Sequence, residues 1–149
     1  MNVAAAAALV AAADQAVKAM IVAAIPASAS VSIVPGVFSL THVQNTGVAF
    51  GLLAGASPVV TALAALTLVF LLFYNRGRQI GTGAAWLGIA AMAGGAAGNL
   101  IDRVRLGYVV DYLDVHIWPV FNLADVAIVL GAAILIIAFT REGRPASRR

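Results

Sequence analysis

The sequence predicts an all-α membrane protein: four transmembrane helices, a small extracytoplasmic β platform, and both termini on the cytoplasmic side. Three observations carry that expectation. Of the 149 residues, 62% are hydrophobic and 10% are charged, with a mean hydropathy of +1.00. A soluble domain has ~25% charged and ~45–50% apolar residues. Four apolar stretches each approach the ~20 residues that a spanning helix needs. Arginines gather after the second and fourth of these stretches. Nine basic and six acidic side chains cannot coat a water-facing surface, so an ordinary soluble enzyme is excluded. A disordered chain is excluded too, because disorder pairs low hydrophobicity with high net charge.

The spans fall at about residues 3–25, 58–74, 83–101 and 123–140, within one integral membrane domain of residues 1–149. The first is rich in Ala, Val and Ile and carries Asp14 and Lys18. Ala27-Ser28-Ala29 after it resembles a signal-peptidase site, but no basic residue precedes the apolar run and two charges interrupt it, unlike a cleavable signal. A soluble core helix is disfavoured by the three spans that follow. The second and third spans are uncharged, and the fourth has Asp125 near its start. The tail, residues 141–149, is expected to be disordered.

Arg76 and Arg78 follow the second span, and Arg141, Arg144, Arg148 and Arg149 follow the fourth. The positive-inside rule makes those segments cytoplasmic, and an even number of spans places both termini there. The net charge of +3 therefore reports orientation, and no nucleic-acid partner is expected. Two long connections, residues 26–57 and 102–122, then lie outside. Residues 30–34 and 37–43 read as strands around the turn Pro35-Gly36, and residues 108–117 have strand character. Tyr108, Tyr112 and Trp118 fall where an interfacial aromatic belt would sit.

Polar residues inside such a chain are functional candidates by default. Asp14 and Lys18 are spaced i, i+4 and read as a mutually neutralising pair facing the bundle. Gly88, Met92, Gly95, Asn99 and Asp102 share one helical stripe, and Gly94 and Gly98 have the small-xxx-small spacing of close helix packing. Asn99, Asp102 and Arg103 cluster at the outer end of span three, where an Asp–Arg pair could equally be an interfacial anchor. Asn122 and Asp125 fit the N-cap and N3 positions of a capping box. Asp111, in the apolar run Val-Val-Asp-Tyr, has no such local account and needs a partner.

Two carboxylates brought together in a low-dielectric site cannot both ionise easily, so one keeps a proton. One acid can then activate water while the other polarises a carbonyl and supplies the proton. The sequence offers little else. It has no cysteine, and its two histidines, His42 and His116, lack zinc-ligand spacing, so no metal and no cofactor are expected. A phosphate-binding glycine loop and a Gly-x-Ser-x-Gly elbow are both missing. A small proton-coupled transporter is the competing class. Its loops should be short and its acids deep, whereas the first outer segment is long and Asp111 and Asp125 lie near the boundary. A non-enzymatic membrane scaffold would not explain Asn, Asp and Arg clustering at one depth.

Five motifs in order add a resemblance. Asp-x-x-x-Lys stands at Asp14 and Lys18, NTGVAFGLL at residues 45–53, GNLIDR at 98–103, VVDY at 109–112 and FNLAD at 121–125. Together, over nearly the whole length, they resemble lipoprotein signal peptidase (signal peptidase II). The resemblance implies a four-helix aspartyl endopeptidase of the bacterial cytoplasmic (inner) membrane, with its active site near the extracytoplasmic face. Its substrate would be a diacylglyceryl prolipoprotein carrying a lipobox signal peptide, cut just before the lipid-modified cysteine, with membrane lipid as the other partner. A monomer is expected. The resemblance implies catalytic roles for Asp111 and Asp125. Asn45, Gly47, Asn99, Asp102, Arg103, Asn122, Asp14 and Lys18 would support the site. Asp125, at a helix start, is expected to be the more readily ionised of the pair. Two departures are visible: a short N-terminus without basic residues, and only 13 residues between the paired aspartates.

Overall fold

A computed structural model describes residues 2–47, 57–78 and 83–142. In chain order the elements are α1 (Val3–Ala24), β1 (Ser30–Val34), β2 (Phe38–Asn45), α2 (Ser57–Arg78), α3 (Gly83–Leu106), β3 (Val109–Asp114) and α4 (Leu123–Glu142). The expected disordered tail lies, beyond Glu142, outside the described residues, as does the 45–53 motif beyond Gly47.

Local chemistry explains most boundaries. The Asn2 side chain accepts the Ala5 amide at 2.8 Å and starts α1. Ile25 turns extended just before Pro26, which cannot continue a helix. Gly107 ends α3 in the left-handed region (φ 82°), with its amide returned to the Arg103 carbonyl at 3.1 Å. Val3–Ala24, Gly83–Leu106 and Leu123–Thr140 are long and apolar enough to cross a membrane, and α2 contains the shorter apolar run Thr61–Leu71.

Helix α3 is the centre of the bundle and packs on α1, α2 and α4. Its glycines permit this. Gly94 lies against Ala7 and Val10 of α1 and Gly98 against Asp14, while Gly88 and Gly95 meet the α4 backbone at Gly131 and Ala124. A methyl at these points would collide with a neighbour, so the small residues set the helix spacing. Ile89, Ala90 and Ala93 of α3 bury against Val3, Ala6 and Ala7 of α1 and Leu71 of α2. Large apolar side chains such as Leu66, Phe73, Val129 and Ile136 face outward. That outer surface suits lipid.

The three strands form one antiparallel sheet in the order β1-β2-β3. The β1–β2 hairpin turns through Gly36 (φ 71°), where a left-handed residue is required. In the β2–β3 ladder Val43 stands opposite Asp111 and Asn45 opposite Val109. The sheet is fastened to the end of α1: the amides of Ser28 and His42 bond the carbonyls of His42 and Ala29, and His42 Nδ1 lies 2.8 Å from the Ile25 carbonyl. Ile21 and Ile25 complete the junction by packing on Val110 and Tyr112.

Two expectations are adjusted. Helix α3 runs on to Leu106 instead of stopping near residue 101, so the stripe read through Asp102 is helical as expected and the helix continues beyond it. Tyr112 is not in an aromatic belt. It is 3% exposed, and its hydroxyl accepts the Leu123 amide at 3.2 Å. Trp118 is exposed.

Candidate active site

Strand β3 and helix α4 bring Asp111 and Asp125 to one place. Asp111 is buried on the sheet and Asp125 is half-buried in the first turn of α4. Asn122 links them. Its Oδ1 accepts the Asp125 amide at 2.9 Å, and the Asn122 amide donates to Asp125 Oδ2 at 3.2 Å, closing the capping box read from the sequence. The Asn122 side-chain Nδ2 then donates to Asp111 Oδ1 at 2.6 Å and to Asn99 Oδ1 at 3.1 Å. Asn99 Nδ2 donates to Asp125 Oδ1 at 2.8 Å. On the other side of Asp111, Asn45 Nδ2 donates to Oδ2 at 2.8 Å, and the Asn45 oxygen is held by the Gly47 amide at 2.9 Å.

A cationic group anchors this set from beneath. Lys18 Nζ sits 2.9 Å from Asp14 Oδ2, 2.7 Å from Asp102 Oδ2 and 2.9 Å from Asn99 Oδ1. The expected two-residue pair is thus a larger cluster, buried throughout. Asp102 also accepts the Val110 amide at 3.1 Å, which fixes β3 one residue before Asp111, and Gln15 Nε2 at 2.7 Å. Asp14 Oδ1 accepts the Ala124 amide at 3.0 Å. Arg103 reaches the carbonyls of Asn99 and Gly47, each at 3.4 Å, and so spans from α3 to the end of β2.

The ten residues named for the site from the sequence all lie in this network or line the cleft beside it. Gln15 and Tyr112 were missed. Gln15 follows Asp14, so its polarity beside an intramembrane acid was an available signal. The role of Tyr112 was not, because its partner lies on another element.

Burial pushes Asp111 up from 3.8 to about 6; the neighbouring Asp125 charge adds to this, and the Asn45 and Asn122 donors oppose it. A cavity of about 330 Å³ opens onto the pair, lined by Asn45, Gly47, Asn99, Arg103, Asp111 and Asp125 among others. An apolar trough of about 480 Å³, walled by Ile117, Trp118, Phe121, Val126 and Leu130, meets it at Asp125. A cleft that sets an acid pair and its amide partners among apolar walls, joined to a greasy trough, can hold water at a peptide bond while an apolar chain lies alongside.

A family model described as signal peptidase (SPase) II matches residues 6–141. The lipoprotein signal peptidase of Halothermothrix orenii is 48% identical over 124 residues, covering 83% of this chain and 85% of that protein. The lipoprotein signal peptidase of Moorella thermoacetica is 47% identical over 127 residues, covering 85% of each. A solved structure described as a bacterial membrane enzyme, determined in meso at 2.3 Å, superposes with a TM-score of 0.87 at 28% identity, covering 99% of this chain and 92% of that one. A second, at 1.9 Å, gives 0.80 at 29% identity, covering 92% and 91%. Sequence and fold agree, and the chain belongs to the signal peptidase II family of membrane proteases.

Proposed function

We propose that the protein is an aspartyl endopeptidase that removes the signal peptide from diacylglyceryl-modified prolipoproteins, cutting before the lipid-modified cysteine, with Asp111 and Asp125 as its catalytic pair. One observation carries this reading: the side chain of Asn122 donates to Asp111 and caps the amide of Asp125, holding two acids from different elements at one cleft. The name of its relatives, lipoprotein signal peptidase, supports the substrate class.

In this mechanism Asp111 holds the shared proton at rest, in keeping with its burial. Asp125 is the anion, favoured by the positive end of α4 and by donors from Asn99 and Asn122. Asp125 takes a proton from water as the oxygen attacks the scissile carbonyl, and Asp111 gives its proton to the carbonyl oxygen. As the tetrahedral adduct collapses, the leaving nitrogen takes a proton from Asp125 and one adduct hydroxyl returns its proton to Asp111, which frees the new amine and the carboxylic acid and restores the pair. The pair titrates as a unit, so these roles describe one working arrangement of a single coupled site. Asn45, Gly47, Asn99 and Arg103 line the cleft and orient water and peptide, and Asp14, Lys18, Asp102 and Asn122 hold the acids in place.

The substrate helix and its acyl chains enter sideways from the bilayer. In this reading α2 is a fourth span, both termini are cytoplasmic, the protein is a monomer of the bacterial inner membrane, and the cleft lies near its outer face. The test is a gel-shift assay on a diacylglyceryl precursor. Asp111→Asn and Asp125→Asn should each abolish cleavage while the protein stays folded and inserted. Full activity in either variant overturns the pair.

A further inference from the structure

We infer that Asp14 of α1 is a remote N-cap of α4 and, through that cap, a positioning residue for Asp125; this rests on the reading of Asp125 as one of the catalytic acids. The first amides of a helix have no partner within it, and a side-chain cap satisfies one of them. In α4 each of the first three has its own acceptor. Leu123 donates to the Tyr112 hydroxyl, Ala124 to Asp14 Oδ1 and Asp125 to Asn122 Oδ1. Only the Ala124 partner comes from another helix, 110 residues away in sequence. Ala124 is wholly buried, so water does not stand in for it.

Charge balance points the same way. Lys18 faces two buried carboxylates, Asp14 at 2.9 Å and Asp102 at 2.7 Å, and can offset one of them. Asp102 takes further donors from Gln15 and Val110. The N-terminus of α4, worth about half an elementary charge, supplies further positive charge to Asp14. Asp14 divides its oxygens accordingly, Oδ2 toward Lys18 and Oδ1 toward Ala124. Space for this is made by Gly98, where a Cβ would lie 2.5 Å from Asp14 Oδ2. Ala124 directly precedes Asp125, so the turn that this bond holds is the turn that aims the acid.

The experiment uses the full chain in detergent, with hydrogen exchange at the amides of 123–126 read beside steady-state cleavage. In Asp14→Ala those amides should exchange about tenfold faster. Turnover should fall about 10- to 100-fold with KM within about twofold, as for a misaimed catalytic group. Asp14→Asn keeps an oxygen for Ala124 and should recover part of both. If Asp14→Ala does not fold, Gly98→Ala, which displaces Asp14, should give the same paired change. Unchanged exchange overturns the cap. Faster exchange with full turnover overturns the positioning role, and no recovery in Asp14→Asn overturns the hydrogen-bond account. Full cleavage by Asp125→Asn would instead sink the catalytic pair, leaving the exchange result for the cap intact.

Discussion

Replacing Gly95 with alanine should damage catalysis far more than stability. A Cβ at Gly95 would run into the carbonyl oxygen of Ala124, 3.2 Å from its carbonyl carbon and 2.9 Å from Ile128 Cγ1, where ordinary contact begins at 3.4 Å. Backbone cannot yield as a side-chain tip can, so α3 and α4 must part by about 1 Å at the level of Asp125. One turn further along α3, Asn99 holds Asp125 Oδ1 at 2.8 Å. The same parting takes that bond beyond hydrogen-bond range. Overpacking costs about 1–3 kcal/mol, and the better helix propensity of alanine returns about 1 kcal/mol of it. The net loss of stability is thus about 1 kcal/mol, whereas a 1 Å misplacement at a catalytic group costs about a hundredfold in rate. Initial rates from the gel-shift assay and a thermal melt in detergent measure the two effects. Gly107→Ala is the control: its Cβ meets nothing within 4 Å and its φ of 82° imposes backbone strain. It should lose about as much stability, roughly 1–2 kcal/mol, and keep its activity. A Gly95→Ala protein as active as its parent, or a Gly107→Ala protein as inactive as Gly95→Ala, would refute the reasoning.

Two other outcomes are expected. Asp111 has a folded pKa near 6 against 3.8 for the free group, so its contribution to stability is complete below about pH 4 and is lost as pH rises through about 6. The difference corresponds to about 3 kcal/mol. The wild-type melting temperature should therefore fall, relative to Asp111→Asn, between pH 4 and 6; parallel curves would contradict the raised pKa. Because the chain has no cysteine, single cysteines can report topology. Ser32→Cys on the exposed β1 should react with an impermeant thiol reagent in intact spheroplasts and Ser147→Cys only after lysis; the reverse pattern would invert the proposed orientation.

Much of the architecture was legible because its determinants are local. The strands around Pro35-Gly36, the start of α1 and the Asn122–Asp125 capping box each depend on residues within a few positions of one another. The end of α3 was read too early because Asp102 and Arg103 look like the edge of an apolar span. Their partners, Lys18 and Val110 for the acid and Gly47 for the arginine, lie on α1, β3 and the end of β2. The glycine stripe correctly announced close packing but not its direction: Gly94 and Gly98 serve α1, while Gly88 and Gly95 serve α4. Tyr112 was misread for a related reason. Alternation says that it differs in face from Asp111, and only the packed bundle says that its face is covered. The candidate site was legible in membership and not in wiring, since Asn45 and Asn99 find their acids 66 and 26 residues away.

The cluster around Lys18 also bears on how the chain is made. During synthesis α1 emerges first, while the Asp102 carboxylate and the Ala124 amide that will bond its charges are still untranslated. A lone charge at the centre of an inserting helix costs about 2.5–3.5 kcal/mol. Asp14 and Lys18, one turn apart, can neutralise each other at once and enter as a unit. When α3 and α4 arrive, Lys18 gains Asp102 and Asn99, and Asp14 turns its second oxygen to Ala124. The pair that first makes insertion tolerable thus becomes the fastening point on which the later helices assemble.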